Sequence, residues 1–277
     1  MPETSAENLP KNQPSNQIDK TIGLLITARM GSSRLRQKHL SPVSEKPILQ
    51  FLIDRMAFEF KAELELGIAK IVIATSDEPE NRGFEKFSNN NVSVFYGAVD
   101  NIPLRHLQTA NCLGFGAVVS VDGDDPLCSP KAMRAIFEEL KNGGAYAKTE
   151  NLPLGMNVSG YSTAFLESSV GSAGHGTFET GWFRIFDQTK LKIIHLPFHF
   201  EGHAKDLRLT LDYEKDYLFF KAVIEDFGEQ IVSATDEEIS CRALNRGYNK
   251  INSDLNETYF NNFYSKMAEE QNTPQPQ

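Results

Sequence analysis

Two sets of charged residues stand out by type and spacing. Arg29, Arg34, Arg36 and Lys38 fall in one short stretch with Gly31, Ser32 and Ser33, reading Ala28-Arg-Met-Gly-Ser-Ser-Arg-Leu-Arg-Gln-Lys38. Glycine lets the backbone turn, serine adds small hydroxyls beside exposed N–H groups, and the arginines and lysine supply positive charge. A loop of this kind can hold a polyphosphate. It is not a Walker loop, because no Gly-Lys-Ser/Thr follows the spacer. The second set is Asp122, Asp124 and Asp125, in Val121-Asp-Gly-Asp-Asp-Pro126. Neighbouring carboxylates repel unless a cation offsets them, and magnesium takes one or two carboxylates together with phosphate oxygens and water. Extended backbone lets positions 122 and 124 point the same way. Asp212, in Leu209-Thr-Leu-Asp-Tyr-Glu214, joins this set as a further metal candidate. Each assignment has a structural alternative: a basic surface loop, solvated turn residues, or a helix N-cap.

Other chemistries find little support. The six histidines (His39, His106, His175, His195, His199, His203) lack metalloprotease spacing, and Gly202 interrupts the pair at 199 and 203. Ser168-Ser169 and Gly174-His-Gly176 form no nucleophile elbow.

The elements that must position these groups follow from the apolar pattern. Ile22–Thr27 reads as a buried parallel strand that empties into the cationic loop, and Gly116–Val121 as a strand ending at the acidic one. Between them come a helix after Pro47, a strand at Lys70–Thr75, a short helix over 80–87, a strand at Val92–Tyr96 and a helix over 104–112. A helix from Pro130 to Leu140 follows the acidic loop. Strand and helix alternating with short connections imply a mostly parallel α/β sheet sandwiched by helices. Ligands of such sheets bind beyond the carboxyl ends of the strands, so both loops can share one crevice. The Gly/Ser/Asn-rich run 142–176 suits loops, a hairpin and a site wall. Helical character is expected over 177–186, strands over 191–196 and 207–211, and an amphipathic helix over 213–227. The polar ends, 1–20 and 266–277, read as disordered, leaving one domain over 21–265 with its acceptor-side region around 142–190.

Composition sets the class. With 277 residues, 40% of them hydrophobic and 23% charged, the chain is long enough for one large α/β domain and falls among soluble globular proteins. No window matches a membrane span and the N-terminus lacks a signal-peptide core, so no membrane partner is expected. A formal net charge of -9 argues against nucleic acid as a partner. Three widely spaced cysteines without a CxxC fit a reduced, cytoplasmic protein.

The stretch from Ala28 to Lys38 resembles the A-R-x-G-S-x-R-L-x-x-K opening of the sugar cytidylyltransferases, most of all the spore-coat-polysaccharide-biosynthesis type. It is more distantly similar to the enzymes that activate 3-deoxy-manno-octulosonate and sialic acids. Further elements look like that family in the same order: Ile71–Asp77 as its second strand, Asn101-Ile-Pro-Leu-Arg105 as its leucine-x-arginine element, Gly123-Asp-Asp-Pro-Leu127 as its metal loop, and Asp206-Leu-Arg-Leu-Thr-Leu-Asp212 as its L-R-x-T-x-D near the C-terminal end.

The resemblance implies a nucleotide-diphosphate-sugar transferase-like (GT-A-like) fold, CTP and an acidic small-molecule acceptor as partners, Mg2+ as cofactor, and a homodimer. It places Ala28, Arg29, Gly31, Ser32, Arg34, Lys38, Arg105 and Asp122 around the nucleotide, with Arg29, Lys38 and Asp124 catalytic. Asp124 and Asp212 would hold the metal, and Asn157, Glu179, Trp182 and Arg208 would face the acceptor. The reaction implied is attack of an acceptor oxygen on the α-phosphorus of CTP, with pyrophosphate leaving, in surface-glycan precursor synthesis. Some positions differ from the family pattern: Arg36-Gln37 stands where Pro-Gly is frequent, Ser120 and Asp122 where Arg and Thr are, Ser129 where Asp is, and Glu179-Thr-Gly-Trp182 where Glu-His-x-Thr is. Two alternatives remain: a glycosyltransferase using Asp122-x-Asp124, and a nucleotide-binding protein without catalysis.

Overall fold

The computed structural model describes residues 20–32, 34–174, 176–197 and 207–272. The expectations for the 1–20 segment (save Lys20), Ser33, His175 and the 199/203 histidine pair lie outside the described residues.

An unbroken apolar strand needs cover on both faces and a neighbour on each edge. β1 (Ile22–Thr27) has both, lying between β4 (Ala69–Ser76) and β6 (Ala117–Asp122) and parallel to each. β2 (Pro42–Val43) and β3 (Lys46–Pro47) form a small separate ribbon. With β5 (Val92–Gly97), β7 (Tyr146–Glu150), β8 (Ser159–Ser162) and β9 (Leu191–His195) the main sheet has seven strands, ordered β5-β4-β1-β6-β8-β7-β9. Among these β8 runs opposite to the rest, pairing antiparallel with β6 and β7.

Side chains alternate across a strand, and β1 divides its residues accordingly. Leu24 and Ile26 pack with α1 (Ile48–Glu59), α4 (Pro130–Lys141), α6 (Glu214–Phe227) and α7 (Asp236–Asn245), while the short α2 (Lys61–Glu65) follows α1. Leu25 faces the other layer, where α3 (Ile102–Leu113) and α5 (Thr163–Ala173) supply Ala110 and Leu166. Leu24, Leu25 and Ile26 are fully buried, each contributing roughly 1.5–3 kcal/mol. The cationic loop therefore starts from a firmly held strand end.

Several elements differ from expectation. Residues 80–87 form a 3-10 helix over Pro79–Phe87, and of 177–186 only Trp182–Ile185 coils, after Gly181 turns at φ +58°. The Gly/Ser-rich run holds α5, because the Ser162 side chain accepts the Phe165 N–H and caps it. Leu207–Leu211 is a buried extended segment and not a sheet strand; it touches its neighbours through a bridge between Leu154 and Arg208 and through Leu211 N–H donating to Asp124 O at 2.7 Å. Of the tail expected over 266–277, the part 266–272 is corrected, while 273–277 lie outside the described residues. There α8 (Asn256–Asn272) is a helix, held by tertiary contacts of Met267 and Glu270 that composition does not reveal. No helix among the described residues is long and apolar enough to cross a membrane.

Candidate functional site

β1 and β6 end side by side, with Thr27 opposite Asp122. Their two loops approach so closely that a Cβ on Gly123 would lie 2.8 Å from the Ala28 Cβ and 3.2 Å from Thr27 O, so only glycine fits there. The segment bearing Asp212 is drawn in by the Leu211–Asp124 backbone bond and by Leu209 N–H donating to Leu154 O at 2.8 Å. Gly155 makes this second approach possible: its φ is +91° and a Cβ would lie 2.0 Å from Leu209 O. The result is a cleft of about 510 Å3 at the carboxyl ends of the strands.

At its floor the Lys38 ammonium sits between two carboxylates, 2.6 Å from Asp124 Oδ2 and 3.2 Å from Asp212 Oδ1. Burial acts to lower the Lys38 pKa, but the charges of Asp124 and Asp212 outweigh it and raise the group above its ordinary value. The reverse balance holds at Asp124: burial would raise its carboxyl, and Lys38 and His39 together bring it below the usual carboxylate range. His39 Nε2 lies 3.0 Å from Asp124 Oδ1. Asp122 opens onto the same space, and its surroundings in the cleft together with the Asp124 charge raise its carboxyl. Burial and Asp122 likewise raise Asp125.

Asp212 is not an N-cap. The N-cap is Tyr213, and Asp216, at the third helical position, turns back to accept the N–H groups of Asp212 and Tyr213 at 3.0 Å each. The Asp212 carboxylate is thereby released to face Arg34, Lys38 and, at 3.2 Å, Arg208 Nη2. Ser129 caps α4 by accepting the Ala132 N–H at 3.0 Å and donates to Asp236 Oδ2 at 2.6 Å. Its difference from the family pattern thus has a structural account.

On the rim, Glu179 bridges two arginines, with Arg29 Nη1 and Arg105 Nη2 each at 2.8 Å. Arg29 is 46% exposed and free to change partners, whereas Arg105 is buried and also donates to Ala98 O and Val99 O at 2.8 Å. Below the rim, Trp182 packs edge-on against His106 and Tyr161. His106 hydrogen-bonds with Thr27 Oγ1 at 2.8 Å and with the Tyr161 hydroxyl.

The cleft gathers Ala28, Arg29, Gly31, Ser32, Arg34, Lys38, Arg105, Asp122, Asp124, Asn157, Glu179, Trp182 and Asp212, all read as site residues in the sequence. Arg208 is the exception and is corrected here. It is fully buried, with Nε 2.8 Å from Asp216 Oδ1, and orients Asp212 from behind the floor. The sequence reading missed His39, Ser159, Tyr259, Phe263 and Lys266, which also line the cleft. His39 adjoins the cationic stretch, and Tyr259, Phe263 and Lys266 recur at helical spacing within the segment α8 occupies.

A family model described as cytidylyltransferase matches residues 24–180 of this chain. The chain belongs to the cytidylyltransferase family. The spore coat polysaccharide biosynthesis protein SpsF of Bacillus subtilis (strain 168) is 26% identical over 232 residues, covering 81% of this chain and 94% of its own. An 8-amino-3,8-dideoxy-manno-octulosonate cytidylyltransferase of Shewanella sp. (strain ANA-3) is 32% identical over 119 residues, 42% of this chain and 46% of that protein. Among solved structures, a cytidylyltransferase from Leptospira borgpetersenii superposes with a TM-score of 0.69 at 24% identity, covering 83% of this chain and 96% of that one, which establishes a shared fold. The cleft of this cytidylyltransferase is therefore the place to look for its chemistry.

Proposed function

We propose that this cytidylyltransferase moves CMP from CTP to an acidic small-molecule acceptor, a keto-sugar acid or close relative, and releases pyrophosphate. The observation that carries the reading is the Lys38 ammonium between Asp124 and Asp212, at the foot of a cleft whose rim bears Arg29 and Arg34. The names of the relatives support the acceptor class: one acts on an octulosonate, and another serves polysaccharide biosynthesis.

In this reading an acceptor oxygen forms a bond to the α-phosphorus of CTP as the bond from that phosphorus to the pyrophosphate oxygen breaks. Negative charge grows on the phosphoryl oxygens and on the leaving group, so positioned cations lower the barrier. Arg29 and Arg34 exchange Glu179 and Asp212 for phosphate oxygens, which their guanidinium forks suit. Lys38 acts as a point charge on the same group. Ala28, Gly31 and Ser32 bring small-residue backbone close to the phosphates. Asn157, Glu179 and Trp182 form the acceptor wall.

The donor set fits magnesium. Asp124 and Asp212 present carboxylate oxygens to the point the Lys38 ammonium holds, which is freed when Lys38 turns to a phosphate, and a hard cation with one or two carboxylates and phosphate ligands needs no more from the protein. Bound there, the ion would polarise phosphate oxygens as a Lewis acid. The Asp-x-Asp glycosyltransferase reading has no support beyond Asp122 and Asp124 themselves, and membership of the cytidylyltransferase family speaks against it.

The test is a pyrophosphate-release assay with CTP, magnesium and a panel of acidic sugars, repeated with the other nucleoside triphosphates. Release that needs both CTP and one acceptor, and that is lost in Asp124→Asn, is expected. Release that is equal in Asp124→Asn, or absent with every acceptor, contradicts the proposal.

A further inference from the structure

α8 lies outside the family-matched segment, yet Tyr259, Phe263 and Lys266 line the cleft. Spacings of four and three residues put them on one helical face. The helix is tied to both sides of the cleft. On one side Glu270 accepts the Thr180 N–H at 2.8 Å and pairs with Arg184 Nη2 at 3.1 Å, and Met267 packs so closely on Gly181 that a Cβ there would lie 2.7 Å from its sulfur. On the other side Asn262 Nδ2 donates to the Tyr213 hydroxyl at 2.9 Å, and the Arg208 guanidinium carbon lies 4.6 Å from the Tyr259 ring centre. Contacts at 262, 267 and 270 thus bracket Lys266 and hold it at the cleft.

Its charge environment is unlike that of the other cations there. Arg29 has Glu179, Arg34 has Asp212, and Lys38 has Asp124 and Asp212. Lys266 forms no hydrogen bond or ion pair among the described residues. Partial burial, then Arg34 and Arg29, lower its pKa, against the opposing charges of Asp212 and Glu269. Arg34 and Arg29 act against the charge on Lys266 in a cleft that all three line, which marks a place where a polyanion relieves repulsion.

Resting on the cytidylyl-transfer reading above, we propose that Lys266 binds the β- and γ-phosphates of the nucleotide and, with Arg29 and Arg34, the pyrophosphate that leaves. α8 is then a working wall of the site, and Tyr259 and Phe263 shield that end of the cleft from water.

Inorganic pyrophosphate is the probe. Its binding to the full chain is measured by calorimetry for wild type, Lys266→Met and Lys266→Arg, and KM is measured separately for CTP and for the acceptor. Lys266 is exposed, so the variants should melt as wild type does. Lys266→Met should weaken pyrophosphate binding and raise KM for CTP about tenfold, the scale of one charge-assisted hydrogen bond at a partly open site. KM for the acceptor should stay put, and Lys266→Arg should recover most of the loss. An unchanged pyrophosphate affinity overturns the proposal, as does a change confined to the acceptor, which would move the lysine to the acceptor's carboxylate. Because calorimetry needs no turnover, the two readings fail separately. Weakened pyrophosphate binding in Lys266→Met with no turnover on any acceptor would uphold the lysine and remove the reaction, while a wild-type chain that binds no pyrophosphate would remove the lysine.

Discussion

Replacing Lys38 with Met removes the one positive group that, among the described residues, touches both floor carboxylates, while keeping the length of the side chain. The Lys38 side chain is 5% exposed and that of Asp212 is 3% exposed, so water cannot take over the lost contact at that carboxylate. Removing one member of a buried pair costs about 3–5 kcal/mol because the survivor is left charged. Here the survivors keep other partners: His39 stands 3.0 Å from Asp124, and Arg34 and Arg208 remain at Asp212. The lower end, about 3 kcal/mol, is therefore expected, which corresponds to a fall in melting temperature of about 6–12 °C. The sign of the pH dependence follows from the raised pKa of Lys38. Its stabilisation is present in full below the ordinary value of 10.5 and is lost only as pH rises through the higher folded value, so the penalty of the variant should be equal at neutral and mildly alkaline pH. Turnover should fall about 10²–10³-fold through loss of charge at the transferring phosphate. Lys38→Arg should not rescue it, since a wider guanidinium does not fit a slot closed on both sides by carboxylates. Pyrophosphate release and thermal melts check both effects. A variant that keeps activity within about threefold and melts within about 1 °C of wild type would refute the reasoning about the floor.

His106 is fully buried, and burial followed by Arg105 lowers its pKa from 6.5 to about 3, so the native ring is neutral. As pH falls the unfolded chain takes the proton first; stability is complete above 6.5 and declines toward 3, by up to about 1.4 kcal/mol per pH unit. His106→Gln should flatten the melting-temperature profile across that window, and an unchanged slope would show that another group governs it. Ser129→Ala removes the cap on α4 and the partner of Asp236, and should cost about 1–3 kcal/mol with KM for CTP unchanged. A loss of CTP affinity at equal stability would mean that Ser129 acts in the cleft.

Much of this architecture can be read from residue type and order. The run Ile22–Thr27 declares a central strand because nothing in it tolerates water, and the glycine, serines and cations that follow mark where it opens. Lys38 and Asp124 meet because their loops leave neighbouring strands; the alternation of strand and helix implies that both loops lie at strand carboxyl ends, and the strand order supplies the rest. Arg208 shows the limit of such reading. Sequence shows a cation next to the site but not that its side chain points backward onto Asp216 and Asp212. The N-cap considered as the alternative for Asp212 lies instead at Tyr213, with Asp216 turned back onto its N–H, a choice of helix start and side-chain direction that local sequence leaves open. α8 was hidden for a different reason: its polar composition resembles a tail, and its order comes from contacts with Gly181, Thr180 and Arg184, far away in the chain. Leu207–Leu211 has the content of a strand but pairs only at single points, with Leu154 and with Asp124 of the acidic loop.

The central claim is that the groups around Lys38 carry a cytidylyl transfer, and the fate of the α-phosphorus tests it most directly. CTP carrying radioactive phosphorus at that atom is incubated with magnesium, an acidic sugar and the protein, and the products are separated by chromatography and counted, with pyrophosphate assayed alongside. The account predicts that the label moves into a phosphodiester with the acceptor while unlabelled pyrophosphate appears in equal amount, and that Asp212→Asn stops both. Label that stays in CTP or appears in a nucleoside diphosphate, or full transfer by Asp212→Asn, would contradict it.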